Sequence, residues 1–139
     1  ANQVINYAPQ IQGIDETKRE QLLAEATFLR GLNYFNLVNE YGAVPITTEL
    51  VQSQSDYFKS KSTEAEVWAQ VIADFQFAAN SALPENYPST LKGRVTKNTA
   101  IAFLGKTYLY MDLLIIMLNC LMVNMKIAKN LFLKFSLVK

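Results

Sequence analysis

Apolar residues recur at every third or fourth position between Asp15 and Tyr41, and this spacing is the strongest constraint on the fold. It is the period of an α-helix that buries one face. Asp15 is a suitable N-cap and Gly42 a suitable C-terminal stop, so we expect one long helix between them. The polar positions form only a narrow stripe, which indicates a helix mostly buried between neighbours. The apolar positions are Leu22, Ala26, Phe28, Leu29, Leu32, Phe35, Leu37 and Val38, and the polar stripe is Asn33, Asn36 and Glu40.

The sequence predicts three further helices around this one. Residues 2–8 have the composition of a helix that Pro9 ends. A capping box at 63–66 opens a helix that continues to about Ala82. Thr96 can cap a fourth helix, which keeps helical spacing to about position 110. The polar connecting loops are 47–62 and 83–95.

Helix pairs joined by loops predict an all-α fold of TPR-like antiparallel helix pairs, an incomplete α-α superhelix. No repeat of fixed period supports this assignment, which rests on the order of the helices and loops. Small side chains mark the positions where helices are expected to cross. These are Ala26, Gly31, Ala78, Ala82, Ala102 and Gly105.

The composition excludes several classes of function. The chain has no histidine and one cysteine, which removes His-based catalysis, most zinc sites and an internal disulfide. A net charge of +1 gives no electrostatic footprint for nucleic acid. Paired acids at 15–16 and 64–66 lie at helix starts, where the helix dipole explains them. We therefore expect no catalytic residues, no metal and no cofactor.

The last 29 residues are of a different kind from the rest. Residues 1–110 carry nine basic and eleven acidic groups, whereas 111–139 carry four lysines and Asp112. This tail has no Gly, Pro or Glu and holds all four methionines and the single cysteine. Its apolar run at 113–123 is too short to span a bilayer, although an amphipathic membrane-surface helix with its lysines is an alternative. The dominant residues are those of A/T-rich codons, so we favour a frameshifted segment not evolved to pack.

Several short strings occur in a specific order along residues 1–110. Any one of them alone would be a weak signal, but the order and spacing together are specific. The strings are AEATFLR at 24–30, YFNLV at 34–38, EYGAVP at 40–45, TEAEVW at 63–68, IADF at 72–75, LP at 83–84 and GRVTK at 93–97. In this order they resemble the SusD-like (RagB/SusD) outer-membrane nutrient-binding lipoproteins of Bacteroidetes. Gly31 departs from the family pattern, which usually has alanine there.

The resemblance implies a cell-surface protein that binds a glycan or another nutrient. Such proteins deliver their ligand to a SusC-like TonB-dependent outer-membrane transporter, are attached by a lipidated N-terminal cysteine that this chain does not contain, and are not enzymes. Family members are several times longer than this chain, so the resemblance implies a fragment. The alternative reading of the same helices is a generic TPR-type scaffold for protein interactions.

Two charged residues in the strongest string have a structural interpretation. Glu25 and Arg30 are five positions apart and do not share a helix face well, so each is expected to pair with a different neighbour. Arg30 suits a partly buried pair between helices, because its guanidinium can bind a carboxylate with two hydrogen bonds. Arg94 is expected to make an interhelix pair and Thr96 to cap a helix.

Exposed aromatic residues are the candidates for ligand binding, since sugar faces are apolar and aromatic rings supply rigid apolar platforms. Tyr57, Phe58 and Tyr87 lie in the expected loops and are the candidate ligand-binding residues. Trp68 lies on a core face and is expected to pack. The remaining aromatic residues fit helix interfaces; they are Phe28, Tyr34, Phe35, Phe75, Phe77, Phe103 and Tyr108.

Overall fold

A computed structural model describes residues 1–113 of the chain. Within this range the helices are α1 (Asn2–Tyr7), α2 (Glu16–Tyr41), α3 (Glu64–Asn80) and α4 (residues 97–113). Short 3-10 turns occupy Ala8–Gln10, Gln54–Tyr57 and Ser89–Leu91. No strand occurs in the described residues, and the all-α prediction is confirmed. The predicted separation of 111–139 as an atypical segment falls, from residue 114 onward, outside the described residues.

The long helix α2 begins and ends where the sequence predicts. The Asp15 carboxylate accepts a hydrogen bond from the Lys18 N–H, which satisfies one of the free donors of the first turn. At the other end Gly42 adopts φ +64°, a left-handed conformation that favours glycine. These two local signals fix a helix of 26 residues.

Helix α3 also begins at its predicted cap. The Thr63 hydroxyl accepts from the Glu66 N–H, and the Glu66 carboxylate accepts from the Thr63 N–H at 2.7 Å. This reciprocal pair is a complete capping box. The helix ends at Ser81, which has an extended backbone conformation. Ala79, two residues earlier, is still buried.

Helices α2 and α3 are antiparallel, as the order of their contacts shows. Arg30 pairs with Asp74, whereas Phe35, further along α2, meets Trp68, which is earlier in α3. Gly31 is the close-approach point: a Cβ built there would lie 2.8 Å from the Asp74 Cβ. The predicted role of Gly31 at a helix crossing is therefore confirmed.

The core is a cluster of aromatic rings shared by three helices. Phe75 of α3 lies 5.2 Å from Phe28 and 6.4 Å from Phe35, both on α2, measured between ring centroids. It also lies 5.7 Å from Phe103 of α4. Phe35 packs edge-on against Trp68 at 5.8 Å. These tilted and edge-to-face arrangements are the favoured geometries for aromatic pairs.

Several residues expected at interfaces are exposed. Phe77 is 49% exposed, because it lies two positions after Phe75 and so points about 200° away round the helix. Tyr108 is 44% exposed, since it follows the fully buried Thr107 and points to another side of α4. Leu29 and Leu37 of α2 are also exposed. The small residues Ala102 and Gly105 are exposed too, so they mark no crossing among the described residues.

Candidate functional site

Two predicted candidates lie on the loop that connects α2 to α3. Tyr57 and Phe58 are 72% and 80% exposed, at the end of the 3-10 turn Gln54–Tyr57. Asp56 holds this turn: its carboxylate accepts from the N–H groups of Gln52 and Ser53 at 2.9 and 2.8 Å. These hydrogen bonds lower the pKa of Asp56. The two exposed rings therefore project from a locally ordered turn.

The start of the same loop is anchored to the helices. The side-chain amide of Asn2 donates to the Thr47 carbonyl at 2.8 Å. The Thr47 N–H donates to the Tyr34 hydroxyl at 2.6 Å, and that hydroxyl lies 3.2 Å from the Thr47 carbonyl. Further on, the Ser62 N–H donates to the Val44 carbonyl at 3.1 Å, which ties the two ends of the loop together.

A groove of about 340 Å³ lies against this loop. Most of its lining is polar, and α1 contributes one side chain to it. The lining residues are Asn6, Thr47, Glu49, Leu50, Val51, Gln52, Asp56 and Lys59. Sequence reasoning missed this groove, because the loop pattern shows only that 47–62 is polar and carries no sign that α1 faces it.

Tyr87 differs from its sequence-based description as an exposed loop residue. It is half-buried, and its hydroxyl donates to the Glu25 carboxylate at 3.0 Å. The Arg94 guanidinium lies over its ring, 5.2 Å from the centroid. Burial and the hydrogen bond to Glu25 raise the pKa of the Tyr87 hydroxyl. One face of this ring is thus covered by a guanidinium.

Glu25 and Arg94 form a two-point ion pair across 69 residues of sequence. The Arg94 Nε donates to one carboxylate oxygen at 2.9 Å and its terminal nitrogen to the other at 2.8 Å. Because Tyr87 and Arg94 lie on the loop after α3 and Glu25 lies on α2, this cluster clips that loop to the helix. The predicted interhelix pair of Arg94 is corrected in one respect: Arg94 lies on the loop before α4, so its pair with Glu25 joins a loop to a helix.

Arg30 pairs with a different carboxylate, as expected. Its Nε and terminal nitrogen donate to Asp74 at 2.9 and 2.6 Å. Asp74 is 2% exposed and also accepts from Gln70 at 2.8 Å. Hydrogen bonding to Asp74 raises the pKa of Arg30. These hydrogen bonds join α2 to α3.

Three further properties of the residues that the structure describes bear on function: metal binding, membrane crossing and shifted pKa values. Among residues 1–113, no cluster of His, Cys, Asp and Glu has the arrangement of a metal site. In the same range no helix has the length and apolar character that crossing a membrane requires. The groups with shifted pKa values are engaged in a turn, a helix cap and ion-paired clusters; they are Arg30, Asp56, Glu66, Tyr87 and Arg94.

Comparison with known proteins decides the family. A family model described as SusD-like, "Starch-binding associating with outer membrane", matches residues 1–109. The chain belongs to the SusD-like family. SusD-like protein P2 of Formosa agariphila is 37% identical over 112 residues, which are 78% of this chain and 21% of that protein. SusD-like protein P25 of the same organism is 27% identical, over 78% of this chain and 20% of the relative.

Solved structures of SusD-like proteins are similar to this chain as well. A structure named as a laminarin binding SusD-like protein is 33% identical, with a TM-score of 0.75 over 79% of this chain and 23% of that one. Surface glycan-binding protein A from Bacteroides uniformis is 26% identical, with a TM-score of 0.71 over 80% of this chain and 25% of that one. The chain spans about a fifth of the length of the curated SusD-like relatives it matches.

Proposed function

We propose that this chain is the helical part of a cell-surface protein that binds a glycan and delivers it to a SusC-like TonB-dependent outer-membrane transporter. The observation that carries the proposal is the family match over residues 1–109, together with the likeness to a laminarin binding structure. In this proposal the protein acts at the outer membrane by binding and release. It needs no catalytic residue, metal or cofactor.

The candidates Tyr57, Phe58 and Tyr87 are proposed as sugar-stacking residues. The exposure of Tyr57 and Phe58 supports the first two, because a ring must be accessible to meet the C–H face of a sugar. Tyr87 offers less of its surface, since Arg94 lies over its ring and its hydroxyl donates a hydrogen bond to Glu25. We therefore rank Tyr57 and Phe58 ahead of Tyr87.

Affinity electrophoresis tests glycan binding. The 139-residue chain is run through native gels that contain laminarin or starch, and through gels with no polysaccharide. We expect slower migration in at least one polysaccharide gel, with a non-binding protein as the reference. Equal mobility in all gels contradicts glycan binding and leaves the TPR-type interaction scaffold as the better reading.

Two further experiments test the finer parts of the proposal. A transporter of the SusC-like class is expected to be encoded beside this gene, and its absence from the neighbouring reading frames contradicts the delivery role.

Incubation of the chain with a bound glycan is expected to release no new reducing ends. Release of sugars in proportion to protein concentration would show catalysis and contradict a pure binding role.

A further inference from the structure

The groove beside the α2–α3 loop is lined by two parts of that loop whose conformations are fixed by hydrogen bonds. Thr47 is fixed by hydrogen bonds from Asn2 and to Tyr34, so the first part of the loop is tied to α1 and α2. Asp56 fixes the second part through the N–H groups of Gln52 and Ser53. Because both parts of the loop are already ordered without a ligand, binding there loses little conformational entropy.

The polar groups of the groove match hydroxyl groups. The acidic residues Glu49 and Asp56 and the amide residues Asn6 and Gln52 line the groove. Side chains of these types accept hydrogen bonds from hydroxyl groups, and the amides can also donate. Hydrogen bonds from a hydroxyl to a carboxylate are stronger than those between neutral groups. The volume of about 340 Å³ lies at the low end of small-molecule sites, which suits a short stretch of a longer glycan.

The aromatic platform lies in the same piece of chain. Tyr57 and Phe58 stand between Asp56 and Lys59 in sequence, and both of those flanking residues line the groove. Each ring is more than two-thirds exposed. A ligand with both hydroxyl groups and apolar C–H faces can use the groove and the rings together, and sugars have that chemistry.

The charge of the lining selects against acidic ligands. Two acidic residues, Glu49 and Asp56, line the groove together with one basic residue, Lys59. A uronate or sulfate chain would bring further negative charge against those carboxylates, which costs free energy through like-charge repulsion. A neutral chain meets no such cost.

We propose that this groove, together with the exposed rings of Tyr57 and Phe58 on the same loop, is a subsite for a short stretch of a neutral oligosaccharide. The proposal rests on the proposed function and adds the place of binding and the class of sugar. Its ligand is a neutral hexose chain, of which laminarin and starch oligosaccharides are examples.

Isothermal titration of the 139-residue chain tests the subsite. The ligands are laminarin, starch and galacturonate oligosaccharides of equal length, the last being acidic. The double variant Tyr57→Ala/Phe58→Ala is expected to bind the preferred neutral ligand at least about tenfold more weakly. Tyr41→Ala is the matched control, because Tyr41 is 73% exposed but lies on α2, outside the loop 47–62, and it is expected to change affinity less than twofold.

Charge is tested with one further variant. The acidic oligosaccharide is expected to bind at least about tenfold more weakly than the preferred neutral one, and Glu49→Lys is expected to reduce that difference at low salt. Circular dichroism checks that each variant keeps the helix content of the parent.

The outcomes separate the two proposals. Unchanged affinity of the double variant, or tighter binding of the acidic chain, overturns the subsite and leaves glycan binding in place. Failure of the parent chain to bind any of the oligosaccharides overturns the proposed function, and the subsite with it.

Discussion

Gly31 of α2 faces Asp74 and Phe75 of α3 at a distance that leaves no room for a methyl group. A Cβ there would lie 2.8 Å from the Asp74 Cβ and 3.2 Å from the Phe75 ring. Both groups belong to the buried core, so the two helices would have to move apart. The absent side chain thus sets the spacing of the α2–α3 pair.

Gly31→Ala is expected to lower the free energy of unfolding by about 1 kcal/mol, because overpacking outweighs the helix propensity that alanine adds. Gly105→Ala is the matched control, since Gly105 is also helical but has no atom within 4 Å of an added Cβ. That control is expected to gain up to about 1 kcal/mol. Urea unfolding followed by the fluorescence of Trp68 measures both, and a stabilised Gly31→Ala would contradict the close contact.

Glu66 links the stability of α3 to pH. Hydrogen bonds from the Thr63 N–H and hydroxyl lower its pKa below the ordinary value. A carboxyl group whose pKa is lower in the folded state stabilises that state above its unfolded pKa, and the contribution is lost as the pH falls through the folded pKa. We therefore expect Glu66→Gln to lower the free energy of unfolding at pH 7 and to make little difference at pH 2 to 3.

Urea unfolding at the two pH values measures this difference. Glu85→Gln removes the same charge from an exposed loop position and serves as the control. An equal loss at both pH values would show that Glu66 acts through packing and would contradict the role of its charge in the cap.

At the scale of elements, one cluster joins the loop 83–95 to α2. The Glu25 carboxylate on α2 accepts hydrogen bonds from the Tyr87 hydroxyl and from two guanidinium nitrogens of Arg94. The loop should therefore open more often when Glu25 is replaced by a residue that cannot form the ion pair with Arg94.

Glu25→Gln is expected to raise hydrogen exchange in residues 83–95 by about tenfold, because a neutral amide cannot form the two-point ion pair. Exchange in α3 is expected to stay the same. Mass spectrometry of exchanged peptides measures this, with Glu85→Gln as a control within the same loop. Equal exchange in the parent and in Glu25→Gln would show that the cluster does not hold the loop.

The elements differ in how far the sequence predicts them. Helix α2 follows from signals within a few residues of its ends, at Asp15 and Gly42, and α3 follows from its capping box. The environment of Tyr87 could not be predicted, because it depends on Glu25, 62 residues away. The groove was missed for the same reason: Asn6 and Lys59 line one groove only because the hydrogen bond from Asn2 to Thr47 joins α1 to the loop.

At the scale of the whole molecule, the family match ends at residue 109, next to the change in composition at 110 and 111. We therefore predict that the DNA after the codon of Tyr110, translated in one of the other two frames, gives a SusD-like continuation. Resequencing and translation check this. Absence of such a continuation in both frames contradicts the frameshift and favours a tail that evolved as it stands.

The aromatic cluster has a consequence for how the helices come apart. Phe75 touches Phe28 and Phe35 of α2 on one side and Phe103 of α4 on another, so no one of the three helices can detach without stripping contacts from the other two. They should melt as a single cooperative unit. The lone tryptophan, Trp68, lies against this cluster, and its emission should trace the same transition curve as far-ultraviolet circular dichroism.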